Sequence, residues 1–274
     1  MKQAPDSFDY LLGINQAELE RLRFQHGVWS SVTNKFFDRI GVRQGWKCLD
    51  VGAGPGFVAM DLSERVGDSG EVTALEPSSF FLEWLRRESQ AKGLENLKFR
   101  EGAVGDISLP AGHFDLIFVR WVIAFVADPE KFLAQLLPAL RPGGVIAVQD
   151  YYYEGLSIFP RGGAFDRMPE VVRAYYASVG GDAYIAGKIP QMFRKHNVRL
   201  IDFTPTCLTG GPDSDQMEWA HRFFVPHIPL MIEKGILPKQ EGDAMLADWL
   251  AHRKNPDAIF FSPIVVDVAG KSLS

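Results

Sequence analysis

Between residues 47 and 149, short apolar runs alternate with longer segments in which apolar side chains recur every three to four positions. The runs at 47–51, 71–76, 97–101, 114–119 and 145–149 have strand length, and the segments at 58–66, 80–92 and 129–140 have helical periodicity. Gly67-Asp68-Ser69-Gly70, Gly93 and Arg141-Pro142-Gly143-Gly144 punctuate them as turns and helix stops. Leu116-Ile117-Phe118-Val119 has no polar alternation, as expected of a strand covered on both faces. Strands alternating with helices predict βαβ units, right-handed crossovers and a parallel sheet between two helical layers.

The flanks follow other patterns. Residues 16–41 predict one helix, with Leu19, Leu22, Gln25/His26, Trp29, Val32 and Phe36 along one stripe. Its bulky, aromatic face must dock on the sheet domain from outside, either as a plain docked helix or as one that also closes a wall of the active site. After residue 150 the rhythm breaks: residues 151–187 hold three consecutive tyrosines, a glycine-rich patch and one helix at 169–179. A helix at 190–196 and a strand at 199–208 restore it, and Gly210-Gly211-Pro212 breaks it again. Helices at 214–225, 229–234 and 240–253 precede a last strand at 260–268. Ordinary connections in α/β domains are short, so 152–187 and 212–257 read as lid or cap insertions on one domain spanning 1–274.

Composition narrows the classes. A net charge of -5 over 274 residues, without a lysine or arginine cluster, argues against a nucleic-acid surface. Met1-Lys2-Gln3-Ala4-Pro5-Asp6 lacks the apolar core of a signal peptide, and the longest apolar stretch, 116–127, is short and broken by Arg120. The 2 cysteines, Cys48 and Cys207, both fall in predicted strands and read as small buried hydrophobes of a reduced, cytoplasmic compartment. No His/Cys spacing suggests zinc, so no metal is expected.

Candidate chemistry collects where strands end. Val51-Gly52-Ala53-Gly54-Pro55-Gly56-Phe57 joins the first strand to its helix. Glycines at alternate positions let backbone turn sharply and approach a ligand, with helix N–H groups beyond it. Glu76 ends the second strand, 76 − 50 = 26 residues after Asp50, where a carboxylate can accept both hydroxyls of a ribose. Gly105-Asp106-Ile107 follows the third strand and Arg120-Trp121 the fourth. In an open α/β sheet this carboxyl edge is where ligands bind. A dinucleotide fingerprint needs a third glycine where Phe57 stands. Asp50 would repel a pyrophosphate but favour a cationic centre. The expected ligand is therefore a ribose and an adenine with a positive centre and no phosphate.

The run Cys48-Leu49-Asp50-Val51-Gly52-Ala53-Gly54-Pro55-Gly56 resembles the first motif of class I S-adenosylmethionine (SAM)-dependent methyltransferases. Glu76, with Pro77 beside it, matches that family's ribose acid, and Asp106-Ile107 its adenine pair. Phe114-Asp115-Leu116-Ile117 and Leu140-Arg141-Pro142-Gly143-Gly144 match motifs around strands four and five. The similarity covers about 41–151, and the flanks more loosely resemble the small-molecule branch akin to quinone-biosynthesis C-methyltransferases. The resemblance implies a Rossmann-like, seven-stranded, mostly parallel sheet with helices on both faces and an antiparallel last strand. Residues 199–208 and 260–268 would be its closing hairpin, 1–40 a helical cover and 41–151 the SAM-binding core. It implies S-adenosylmethionine as cofactor, bound by Asp50, Gly52, Ala53, Gly54, Gly56, Glu76, Pro77, Asp106, Ile107 and Arg120. Arg120-Trp121 replaces the Asn/Asp-Pro-Pro-Tyr of base-specific amino methylases, which points away from nucleic acid and toward a small organic acceptor.

Methyl transfer from a sulfonium is an in-line displacement that chiefly needs alignment, with a base only if the nucleophile carries a proton. Tyr151 and His221 are the catalytic candidates, with Tyr153 and His26 as further possible bases. Tyr10, Trp29, Trp121, Tyr151, Tyr153 and Phe224 suggest an aromatic acceptor pocket on O, N or C chemistry, in a monomer or homodimer away from any membrane. Two other readings stay open: a SAM-binding protein without transfer (a binding module, lyase or cyclase), and an NAD(P)-dependent oxidoreductase.

Overall fold

The computed structural model describes residues 14–273. Its helices and strands run α1 (Gln16–Ile40), β1 (Lys47–Val51), α2 (Phe57–Val66), β2 (Glu71–Glu76), α3 (Ser79–Ala91), β3 (Leu97–Glu101), β4 (Phe114–Arg120), α4 (Pro129–Leu136), β5 (Leu140–Tyr152) and β6 (Ser157–Phe159). There follow α5 (Met168–Ala177), α6 (Ile185–Lys195), β7 (Val198–Thr206), β8 (Thr209–Gly210), α7 (Asp215–Glu233), α8 (Lys239–His252), β9 (Ile259–Phe261) and β10 (Ile264–Ser272). Seven strands form one sheet in the order β3-β2-β1-β4-β5-β10-β7. The first five are mutually parallel, and β10 runs antiparallel to both β5 and β7. The expected Rossmann-like sheet with an antiparallel last strand is present.

Alternate side chains of β4 explain the two covered faces. Ile117 and Val119 enter a core shared with α4 to α7, while Leu116 and Phe118 enter one shared with α2 and α3. Helix α1 serves both: Trp29 joins the first core, and Leu19, Phe36 and Phe37 the second. Asn15 caps its start by accepting from the Glu18 N–H, and Gly41 ends it in the left-handed conformation at φ 77°. Its buried face also carries Glu18, Arg21, Gln25 and Thr33, so the stripe is less apolar than its aromatic spacing suggests.

Four expectations are corrected. The turn at Arg141-Pro142-Gly143-Gly144 belongs to β5, which absorbs it as a shift of register against β4 between Phe114 and Leu116. The helices expected at 214–225 and 229–234 are one helix, α7, running through Pro226 and Pro229. Proline costs an interior hydrogen bond, but burial of Trp219, Phe224, Ile228 and Met231 on one face outweighs it. The His227 side chain also reaches the Phe223 carbonyl at 2.5 Å. The last strand is two: β9 leaves the main sheet for a three-stranded one with β6 and β8, and β10 alone pairs with β5. Cys48 is buried as expected, but Cys207 lies past the end of β7 and is exposed. Among the described residues no helix is long and apolar enough to cross a membrane.

Candidate functional site

The strand order reverses between β1 and β4, and the crevice beyond their carboxyl ends is where an open α/β sheet receives a ligand. The glycine loop lines it. Gly52 and Gly56 need glycine for packing: a Cβ at Gly52 would meet Val122 Cγ2 at 2.5 Å, and one at Gly56 would meet Leu85 Cδ2 at 2.3 Å. Gly54 differs. It has φ 55°, yet a Cβ there would find nothing within 4 Å. Its open side faces no protein atom, so the backbone itself is presented.

Glu76 holds that loop from the neighbouring strand. Its Oε2 accepts the Gly54 N–H at 2.8 Å and its Oε1 the Ser78 N–H at 2.9 Å. Burial pushes its carboxyl up, and the two N–H bonds pull it back. Gly102 N–H donates to the Glu76 carbonyl at 3.2 Å, which draws the 102–107 loop to the same edge. There Ile107 is half-buried and Asp106 and Pro77 are exposed. Asp50 sits beneath the loop at 2% exposure. Its Oδ2 is buried with no hydrogen-bond partner among the described residues. Burial raises its carboxyl to about 7, against the pull of Arg120 and with a push from Glu76.

Arg120 ties the crevice to α1. It donates to Thr33 Oγ1 at 3.1 Å and approaches His26 Nδ1 at 3.3 Å. The His26 Nε2 lies 3.4 Å from Asp61 Oδ2, and the ring stacks on Phe57. Thr33 passes the chain of bonds to Gln149 at 2.7 Å, and Gln149 to Asp267 at 2.6 Å. Burial brings the guanidinium down to about 10, with Asp50 and Asp61 opposing. His26 is thus a partner of Arg120 and Asp61. Trp121, next along, holds φ 54°, a strained value for a side chain of that bulk. Its indole lies under the Arg120 guanidinium at 4.5 Å and stacks on Tyr151 at 6.1 Å.

Beside the crevice, under α7, is a second feature: a cavity of about 30 Å³ whose lining includes Gln25, Tyr151, Tyr153, Tyr176, Trp219 and Phe224, with Ala220, Phe223, Phe260 and Pro263 completing its wall. It has room for a water or two, so an organic molecule enters only as that wall moves. Gln25 is fixed in it, its Oε1 accepting both Arg21 Nη1 and Trp219 Nε1 at 3.0 Å. Arg21 is in turn held by both carboxylate oxygens of Glu18 at 2.7 Å. Asp150 lies behind, accepting the N–H groups of Tyr151 at 2.8 Å and Ala124 at 3.2 Å. Burial brings it to about 7, with those N–H bonds opposing.

The structure brings Asp50, Gly52, Ala53, Gly54, Gly56, Glu76 and Arg120 to one crevice and Tyr151, Tyr153 and Phe224 to one cavity. Trp121 contacts both Arg120 and Tyr151, and Trp29 packs edge-on to Trp121 and Trp219. His221 is elsewhere: its Nδ1 accepts the Trp249 indole N–H at 3.2 Å on the α8 side of α7, and it is not in the cavity wall. Tyr151 is poorly suited as a base, because burial pushes its phenol well above 10. Tyr10 lies outside the described residues. Gln25, Tyr176 and Asp150 are not among the candidates the sequence offers. Gln25 did carry a signal, as an amide on an otherwise apolar stripe, and Asp150 stands at a strand's carboxyl end.

Residues 43–205 match the family model described as a methyltransferase domain. Over 150 residues, 53% of this chain and 59% of the relative, the sequence is 30% identical to the ubiquinone/menaquinone biosynthesis C-methyltransferase UbiE of Psychromonas ingrahamii. It is 28% identical to UbiE of Erwinia tasmaniensis over 68% of this chain and 77% of that one. Matches to UbiE of several Shewanella species span about half of those proteins, 49%. The fold is similar to that of a SAM dependent methyltransferase from Aquifex aeolicus, with a TM-score of 0.53 at 20% identity over 70% of this chain and 93% of that one.

Proposed function

The chain belongs to the methyltransferase-domain family, and from that premise we propose that it transfers a methyl group from S-adenosylmethionine to O, N or C of a small organic molecule. The observation that carries this reading is the unpartnered, buried Asp50 Oδ2 beneath a loop whose Gly54 backbone is open to a ligand. A buried carboxylate oxygen without a partner is rare and costly, and a cationic ligand would satisfy it. The residues fit the group: Glu76 would take the ribose, Asp106 and Ile107 the adenine, and Asp50 and Arg120 the charged amino-acid end. When bound, S-adenosylmethionine supplies a sulfonium-activated methyl group.

What the chain's own residues do is align and exclude water. Glu76 fixes Gly54, Arg120 joins the crevice to α1 through Thr33 and His26, and Trp121 forms the partition toward Tyr151. We read 41–151 as the donor core, 1–40 as its cover, and 152–187 and 212–257 as the cap that shapes the acceptor side. The mild acidic charge and free cysteines support a cytoplasmic enzyme acting on a small molecule and not on nucleic acid.

Calorimetry with SAM and S-adenosylhomocysteine tests the donor assignment: no binding to the apo chain overturns it. Glu76→Ala should weaken S-adenosylhomocysteine by about 1.5–3 kcal/mol, the usual loss for hydrogen bonds to a charged group. Unchanged affinity would remove Glu76 from the site.

A further inference from the structure

The cavity beside the crevice has an unusual inventory. Tyr151, Tyr153, Tyr176 and Gln25 are 8%, 5%, 5% and 6% exposed. All four residues line one space. Gln25 cannot turn its oxygen inward, because Arg21 and Trp219 both hold it. What it offers the cavity is its N–H₂. The remaining wall is aromatic or apolar.

Among the described residues no base lines this space. The ionisable groups in its wall are three phenols, all held protonated by burial. His221 is turned to Trp249. His227, which burial lowers to about 4, spends its Nδ1 on the Phe223 carbonyl. Asp150 is occupied by backbone N–H groups, and Glu18 by Arg21. Among the described residues a cation entering the cavity would meet no carboxylate in the wall. An oxygen anion would meet up to three O–H donors and one N–H₂.

We propose that this cavity takes an acceptor that is already ionised in neutral water, an acidic phenol or a 1,3-dicarbonyl enol bound as its anion, and that the chain supplies hydrogen-bond donors to it and no general base. The proposal rests on the methyl-transfer reading for its consequence. It narrows the acceptor from any O, N or C nucleophile to an oxygen acid, and excludes ammonium compounds and simple alcohols. Transfer to such an anion balances without proton removal. The new bond forms at the phenolate oxygen or the enolate carbon as the donor's carbon–sulfur bond breaks, and that bond's electron pair stays on sulfur. Charge-assisted hydrogen bonds favour the anion over its conjugate acid.

4-Nitrophenol tests this, because its anion and its neutral form absorb at different wavelengths. The full chain, loaded with S-adenosylhomocysteine, is titrated with the probe across pH. The expected result is a bound ionisation midpoint at least about one pH unit below that of the free probe, which is anion binding on the order of tenfold tighter than neutral binding. Tyr151→Phe and Tyr153→Phe should each shrink the shift, and phenethylammonium should not compete. An unshifted or raised midpoint, competition by the ammonium, or no probe binding overturns the proposal. If S-adenosylhomocysteine itself fails to bind, the donor reading fails, and the same titration on the apo chain still decides what the cavity prefers.

Discussion

The crevice and the cavity are adjacent but built by different means. The crevice is made of backbone just past the end of β1 and of side chains from the last residues of β1, β2 and β4, so each of these strands delivers its part of the site. The cavity is made of side chains from α1, the end of β5, α5, α7 and the β9–β10 segment, far apart in sequence. In the first, the parallel sheet sets the geometry. In the second, geometry depends on how three helices and a strand end happen to pack, and Gln25 shows the cost: it needs Arg21 and Trp219 to hold it. A site of the first kind is rigid and generic, whereas one of the second kind is adjustable and specific.

Two glycines two residues apart would break this contrast most sharply. Gly56→Ala places a Cβ against Leu85 at φ 75°, with Leu85 Cδ2 only 2.3 Å away. The overpacking and the left-handed backbone together should cost about 2–4 kcal/mol of stability in denaturant unfolding. Gly54→Ala meets nothing within 4 Å, so stability should fall only by about 1–2 kcal/mol for its φ of 55°. Its methyl group nonetheless fills the side from which a ligand reaches the backbone. Affinity for S-adenosylhomocysteine should drop on the order of a hundredfold. If the two variants behave alike, the crevice is not presented at Gly54.

Asp50 sharpens the comparison through protons. Its carboxyl is raised to about 7, first by burial, so near pH 7 about half of the apo molecules carry it protonated. A bound ammonium favours the anion, and binding must then release a proton. Calorimetry near pH 7 in buffers of different ionisation enthalpy should report about half a proton released, and Asp50→Asn should abolish that release. The stability sign follows from the same raised value. Between about pH 4 and 7 the folded chain binds the proton and the unfolded chain does not, so this group's contribution to stability falls as pH rises through that window. Asp50→Asn should flatten that slope.

The legibility of the two regions follows from how they are built. Strand ends are visible in sequence as apolar runs that stop, so Asp50, Glu76, Asp106 and Arg120 could be placed without coordinates, and the sheet that joins them came with the alternation. The cavity offered no such rule. The three tyrosines at the end of β5 are visible in sequence only as a cluster, and Trp219 and Phe224 lie on a helix that two prolines disguise as two. His227 went unnoticed there. The β9 strand was hidden inside a longer apolar run that Ser262-Pro263 divides. Tertiary burial decided each of these, and local pattern does not carry it.

On the cavity side the effects should be smaller, because no single contact sets the geometry. Trp219→Phe removes the indole N–H that Gln25 Oε1 accepts at 3.0 Å and leaves Arg21 as that oxygen's remaining partner. The loss should be about 1 kcal/mol of stability, the usual value for one such bond. Gln25 would then be held by Arg21 alone, so the preference for an anionic probe should weaken by a fewfold while S-adenosylhomocysteine affinity holds. A variant that lost the cofactor as well would mean that α7 and the crevice form one cooperative site, and the contrast drawn between them would fail.

The smallest effect should come from His221, the residue that helical position alone made a catalytic candidate. Burial lowers its imidazole below the usual value, with Arg253 adding to the fall, so the ring is neutral at pH 7 and could in principle accept a proton. Geometry assigns it otherwise: its Nδ1 takes the Trp249 indole N–H at 3.2 Å, across the α7–α8 contact. A general base contributes on the order of 10²–10⁴ to rate, whereas a hydrogen bond between two helices contributes about 1 kcal/mol to stability. His221→Gln, which keeps an oxygen for Trp249, should lower the melting temperature slightly and leave turnover of a given acceptor to S-adenosylhomocysteine within about twofold. The shape of the pH–rate profile discriminates further. Loss of an acid limb in the variant would mean that α7 turns His221 toward the acceptor during turnover, and the cavity would then hold a base after all. An unchanged limb that moves only with the acidity of the acceptor places ionisation on the substrate, where a wall of phenols and one fixed amide leaves it.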